Sequence, residues 1–171
     1  MPCTLAELNA CDGPRFMAVC GPLYEHSPWV AERACAGRPF ASREALHAAL
    51  IAAVAEASPA EQLGLIRAHP DLVGRLSREG RLTAASTAEQ AAAGLDTLTP
   101  DEAEAFDRYN RAYRDRFGFP FVICARENRK EAILTAFPVR LTHTVEQERA
   151  AALDEIGRIG WLRLLDAVRE P

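Results

Sequence analysis

The sequence predicts an all-α fold, a single-domain helical bundle of about eight helices with one short extended loop at Phe119–Cys124. Three observations lead there. Helix-starting punctuation, a Ser, Thr or Asp followed by Pro or by a Glu or Gln three residues on, recurs down the chain. Apolar residues between these signals repeat at spacings of three and four. The β-branched and aromatic run Phe121-Val122-Ile123-Cys124 is too short to build a sheet by itself.

Taken in order, Thr4 with Glu7 is a capping box ahead of a short first helix. Asp12-Gly13-Pro14 opens a second helix, which Gly21-Pro22 closes. Ser27-Pro28 predicts an N-cap with proline at the first helical position, and Gly37 then Pro39 end that helix. Ser42 starts a longer one with Leu46, Leu50, Val54 and Ala57 on one face. Ser58-Pro59-Ala60-Glu61 combines a proline start with a capping box. Its helix stops near Ala68, because Pro70 disfavours helical geometry at His69. After Leu72-Val73-Gly74-Arg75 and a polar connection from Ser77 to Arg81, a helix covers Leu82 to Ala93 and Gly94 ends it. Thr99-Pro100-Asp101-Glu102 opens a helix striped by Phe106, Tyr109, Tyr113 and Phe117, a core pattern rather than a cofactor box. Gly118 ends it. Another helix runs from Asn128 to Phe137, and a long amphipathic one from Thr144 to Val168, with Thr144 and Gln147 as its cap. Neither a repeat nor a composition shift divides residues 1–171, so one domain is expected.

Composition narrows the function classes. The 171 residues are 49% hydrophobic and 26% charged, which suits a folded globular chain rather than a disordered one. The net charge of −4 is spread among interspersed acids and bases, so no nucleic-acid footprint is present. No apolar run is long enough to span a membrane, and no signal sequence opens the chain. The C-terminal Arg169-Glu170-Pro171 is not a peroxisomal address. The five cysteines (Cys3, Cys11, Cys20, Cys35 and Cys124) show no CxxC spacing, so neither a metal site nor a disulfide framework is indicated. A reducing, cytoplasmic setting is expected.

The most constrained stretch is Arg116 to Arg126. Gly118 and Pro120 bracket Phe119, which the following proline pushes into extended geometry. The N–H and C=O groups of an extended run without strand partners must pair with something. A bound ligand and a loop packed under the helices are both open readings.

Three groups elsewhere could carry chemistry. His69, in Arg67-Ala68-His69-Pro70-Asp71-Leu72, sits at the C-terminal mouth of a helix, whose dipole favours an imidazolium. It is either a reactive group held by Pro70 or an ordinary cap. Ser86, Glu89 and Gln90 share one helical face and would suit an amide-rich ligand. Equally, Ser86-x-x-Glu89 could be a capping box marking a helix start. Arg163 falls within the apolar stripe Leu153, Ile156, Gly160 and Ala167, where a guanidinium needs an anion, from another helix or from a substrate. Gly160 would leave room for something to approach, whereas Arg158 falls away from the stripe and should face solvent.

Other patterns lead nowhere. Glu44-Ala45-Leu46-His47 is half of a ferritin-like metal motif that requires two copies. Neither a phosphate-binding loop nor a nucleophile elbow occurs. His69-Pro70-Asp71 is the tripeptide of J-domain co-chaperones, but the basic helix that should precede it is missing. A helical binding module remains the rival class, and a lyase or hydrolase on another ureido heterocycle the rival within enzymes.

Four segments in order carry a resemblance: His69-Pro70-Asp71-Leu72-Val73-Gly74-Arg75; Ser86-x-x-Glu89-Gln90-x-x-x-Gly94-Leu95; Phe117-Gly118-Phe119-Pro120-Phe121-Val122-Ile123-Cys124-Ala125-Arg126; and Ala152-Leu153-x-Glu155-Ile156-x-x-Ile159-x-x-Leu162-Arg163-Leu164. Together they resemble the 2-oxo-4-hydroxy-4-carboxy-5-ureidoimidazoline (OHCU) decarboxylases of urate catabolism. The resemblance implies an all-helical lyase with no cofactor and no metal, commonly a homodimer. It would take a small-molecule anionic substrate to (S)-allantoin and carbon dioxide. Carried onto matching positions, it implies His69 and Glu89 as catalytic residues. Pro70, Ser86, Gln90, Phe119, Phe121, Val122, Ile123 and Arg163 become the substrate contacts.

Overall fold

The computed structural model describes residues 2–74, 77 and 79–169. Arg75 of the first motif, Arg78 in the polar connection, and Glu170 and Pro171 lie outside the described residues. The described residues contain nine α-helices and one two-stranded sheet, so the all-α expectation holds. They fall into two compact units, Met1–Ala68 with Gly157–Pro171, and His69–Ile156.

The first unit begins with β1 (Cys3–Thr4), α1 (Leu5–Ala10), α2 (Gly13–Cys20) and a 3-10 turn at Gly21–Leu23. It continues with α3 (Trp29–Cys35), α4 (Arg43–Ala55) and α5 (Pro59–Ala68), and takes in β2 (Val168–Arg169). The caps read from sequence are present at Thr4, Asp12 and Ser42, whose side chains accept from the backbone N–H three residues on. At α3 the start shifts by one: Pro28 is the cap position, and no side chain caps the helix. Phe16, Leu46, Leu50, Leu65 and Ile66 form the core of this unit, with α3 packed on α2 and α4.

The second unit holds α6 (Ala84–Ala92), α7 (Pro100–Phe117), a 3-10 turn at Ala125–Glu127 and α8 (Lys130–Arg140). The last helix, α9 (Val145–Ala167), contributes its first part here and its second part to the first unit. Phe106, Tyr113, Phe119, Phe121, Ile133 and Phe137 are the buried centre. Thr99 and Glu102 form the capping box of α7, and Gly118 closes that helix at φ 76°. Only a residue without Cβ takes that conformation at no steric cost.

Two features depart from expectation. Cys3 pairs with Val168 and Thr4 with Arg169 in a parallel ladder, and α9 therefore stops at Ala167. A ladder of two residues per strand is too short to leave a period-two pattern in the sequence. Pro138 lies inside α8, which continues three residues beyond the expected end at Phe137.

At the start of α5, the Glu61 carboxylate accepts from the Ser58 N–H and hydroxyl, each at 2.8 Å, and pairs with Arg33. The Ser58 backbone N–H, then its hydroxyl and Arg33, pull the Glu61 carboxyl from 4.5 to about 2. Because the folded value is depressed, this contribution is complete above 4.5 and is lost as pH falls towards about 2. Ser58→Ala should therefore lower the urea midpoint near neutral pH, with the gap to wild type closing steadily as the solution is acidified. Denaturation followed by circular dichroism across that range measures it.

Candidate active site

The His69 turn begins where α5 ends. His69 is buried and Pro70 half-buried. Asp71 to Gly74 form a turn closed by the Gly74 N–H donating to the Asp71 carbonyl at 3.3 Å. Val73 takes φ 56°, an uncommon conformation for a β-branched residue that needs restraint from outside. A Cβ on Gly74 would lie 2.7 Å from the Asp71 Cβ, so only glycine completes the turn. Three side chains hold it on consecutive residues. Arg114 Nε donates to both Asp71 carboxylate oxygens at 2.9 Å. Asn110 Nδ2 donates to the Leu72 carbonyl at 2.7 Å. The Val73 N–H donates to Gln90 Oε1 at 3.1 Å.

That last bond ties the turn to α6. Thr83 caps α6 by accepting from the Ser86 N–H at 3.2 Å. Ser86 is thus the third helical residue, and Ser86-x-x-Glu89 is not the helix start. Ser86 and Gln90 are buried and Glu89 half-buried on the shared face. A backbone N–H can only donate, which assigns the oxygen of the Gln90 carboxamide to Val73. The Gln90 amide nitrogen makes no hydrogen bond among the described residues.

The Phe119–Cys124 stretch is irregular, with a bend at Phe119 and extended backbone at Cys124, and is buried throughout. The 3-10 turn that follows it packs on α6. Phe119 and Phe121 meet the Tyr113 ring edge-on at centroid distances of 6.0 and 5.3 Å. Phe121 also stacks on Phe137 at 3.9 Å. Asn110, which grips the His69 turn, and Tyr113, which receives the bend, are three residues apart on α7. One helical face therefore carries both segments, about one turn apart.

A buried ionic cluster fixes the bend from behind. Arg140 Nη1 donates to the Val122 carbonyl at 2.6 Å, and its guanidinium carbon lies 4.3 Å from the Phe121 ring centroid. Arg140 Nε donates to Glu148 Oε2 at 2.9 Å. Its Nη2 lies 2.9 Å from the same oxygen without hydrogen-bonding geometry. The Tyr113 hydroxyl donates to that oxygen too, and His143 Nδ1 lies 2.6 Å from Oε1. Burial, then this bond to Glu148, pushes the Tyr113 hydroxyl above its ordinary value. The Cys124 N–H donates to Glu155 at 2.8 Å. Among the described residues, the N–H groups of Phe121, Val122 and Ile123 have no protein acceptor. Burial, with the Glu127 charge, raises the Cys124 thiol to about 11, which suits a packing residue rather than a nucleophile.

Arg163 lies in the other unit. It is buried, and its Nη1 donates to Glu25 Oε2 at 3.0 Å. The space expected over Gly160 is taken by Tyr24: a Cβ there would stand 3.0 Å from the Tyr24 ring. Arg158 is exposed, as its helix angle predicts. The half-motif residue His47 has Nε2 at 2.9 Å from the Gly157 carbonyl. Among the described residues no three His, Cys, Asp or Glu side chains are grouped to hold a metal.

Asn110, Arg114, Arg140 and Glu148 were not among the residues singled out from sequence. Glu148 and Asn110 each had a signal, a polar residue at helical spacing within an apolar stripe, four before Ala152 in α9 and four after Phe106 in α7. Glu148→Ala leaves Arg140 buried without its counter-ion and should cost about 3–5 kcal/mol in urea denaturation. Glu148→Gln, which keeps an acceptor, should cost less.

Comparison with known proteins places the chain in a family. Residues 9–165 match the family model described as OHCU decarboxylase. A 2-oxo-4-hydroxy-4-carboxy-5-ureidoimidazoline decarboxylase from Haloferax volcanii is 46% identical over 163 residues, covering 95% of each chain. The enzyme of the same name from Amia calva is 41% identical, covering 98% of this chain and 95% of its own. The crystal structure of an (S)-allantoin synthase superposes with a TM-score of 0.78 at 32% identity, over 96% of this chain and 54% of that one. With residues 9–165 matched by the family's model and a relative 46% identical over 95% of each chain, this chain belongs to the OHCU decarboxylase family.

Proposed function

We propose that the protein decarboxylates 2-oxo-4-hydroxy-4-carboxy-5-ureidoimidazoline to (S)-allantoin and carbon dioxide in urate breakdown. The observation that carries this is the Gln90–Val73 hydrogen bond. It joins the face bearing Ser86 and Glu89 to the turn bearing His69, as a one-sided proton transfer requires. In the reaction the bond from the ring carbon to the carboxylate breaks and carbon dioxide leaves. The electron pair enters the conjugated ring, and a proton delivered to one face of the ring sets the S configuration. The ring itself accepts the electrons, so the reading includes catalysis without a cofactor.

His69 takes the proton of the substrate hydroxyl or supplies one to the developing carbanion, and Glu89 orients it or stabilises the reacting ring. Ser86 and the Gln90 amide nitrogen read the ureido and ring carbonyl groups. Pro70 holds the imidazole's backbone. The N–H groups along Phe119, Phe121, Val122 and Ile123 are donors suited to an anion. Arg163 enters the reading through its match to the family's motif, as a bidentate carboxylate contact. A homodimer and a cytoplasmic setting complete the proposal. Five free cysteines suit a reducing compartment.

His69→Asn and His69→Ala should abolish (S)-allantoin formation while circular dichroism of the fold stays unchanged. The assay supplies freshly generated substrate and follows optical activity, because spontaneous decay gives the racemate. Full activity in either variant would remove His69 from the mechanism. Sedimentation tests the dimer, and retention of activity after exhaustive chelation tests metal independence.

A further inference from the structure

We infer that Asn110 is a positioning residue for His69, acting through the Leu72 carbonyl and touching no substrate atom. The inference rests on the reading of His69 as the proton-transfer group. Asn110 interrupts the buried stripe of α7 between Phe106 and Tyr113, and it is 6% exposed. Its Nδ2 donates to the Leu72 carbonyl at 2.7 Å. Its Oδ1 is buried with no partner among the described residues. An orphaned buried carbonyl costs stability, so an asparagine here is a poor choice for packing alone. What it supplies is direction, a rigid donor on a helix, aimed at one carbonyl of a turn.

That turn needs such a donor. Leu72 immediately precedes Val73, whose φ of 56° is not one that a valine adopts unaided. Released, the segment from Asp71 to Val73 would relax towards ordinary geometry and carry Pro70 and the His69 ring with it. Of the three restraints, the Arg114–Asp71 pair is the weakest, because Arg114 is 46% exposed and solvent screens it. Gln90 is shared with the substrate in the proposed reading. Asn110 is buried and its amide nitrogen donates to the turn, which makes it the restraint best placed to fix the backbone that carries the imidazole.

The test compares kcat and KM for Asn110→Leu and Asn110→Ala, neither of which has a side-chain donor. His69→Asn is run in parallel, and Ile133→Val, a core change away from the turn, serves as a stability control. Loss of position should lower kcat roughly ten- to a hundredfold while KM moves about threefold or less. Ile133→Val should keep wild-type kcat despite a lower urea midpoint. Wild-type kcat in either folded Asn110 variant, or a loss confined to KM, overturns the inference. So does failure of both variants to fold, which would make Asn110 purely structural. If His69→Asn itself turns over normally, the catalytic reading of His69 falls first. If His69→Asn is inactive while Asn110→Leu is fully active, only the positioning role falls.

Discussion

The Glu148 carboxylate, wholly buried and shared by Arg140, Tyr113 and His143, is the interaction on which the bend at Phe119–Cys124 depends. A lone buried carboxylate would be prohibitively costly, and so would a lone buried guanidinium. Paired, they leave Arg140 one correctly aimed donor, which grips the Val122 carbonyl. Its face also covers Phe121, which meets Tyr113 edge-on and stacks on Phe137. The bend is therefore set by charge from behind and by aromatic packing from beneath, without a sheet to hold it.

The same helix that packs the bend holds the His69 turn. On α7, Asn110 and Arg114 face Leu72 and Asp71, and Tyr113 faces Phe119 and Phe121. Residues three and four apart lie on one helical face, so a single rigid element registers two segments that are otherwise irregular. The α6 face joins through Gln90. Irregular backbone placed on a regular scaffold is how a fold with little sheet can hold two loops at fixed separation.

In the first unit the buried pair is Arg163 with Glu25. Tyr24 lies over Gly160 with its hydroxyl buried and without a partner among the described residues. Burial pushes that hydroxyl above its ordinary value.

The sequence alone determined the starts of most helices, because their caps are local chemistry. Thr4 with Glu7, Ser58 with Glu61 and Thr99 with Glu102 each close a bond within four residues, and Gly118 stops α7 through its own backbone freedom. His69, Ser86, Glu89 and Gln90 were legible for a related reason, since a break at proline and a shared helical face follow from spacing. Only tertiary structure decided the rest. Whether Ser86 began a helix depended on Thr83 capping first, and whether Gly160 was open depended on where Tyr24 packed. Asn110 reads only as a polar break in an apolar stripe until Leu72, thirty-eight positions away, places a carbonyl against it. Contacts of that separation depend on which elements pack together, and a periodic stripe marks a buried face without naming its partner.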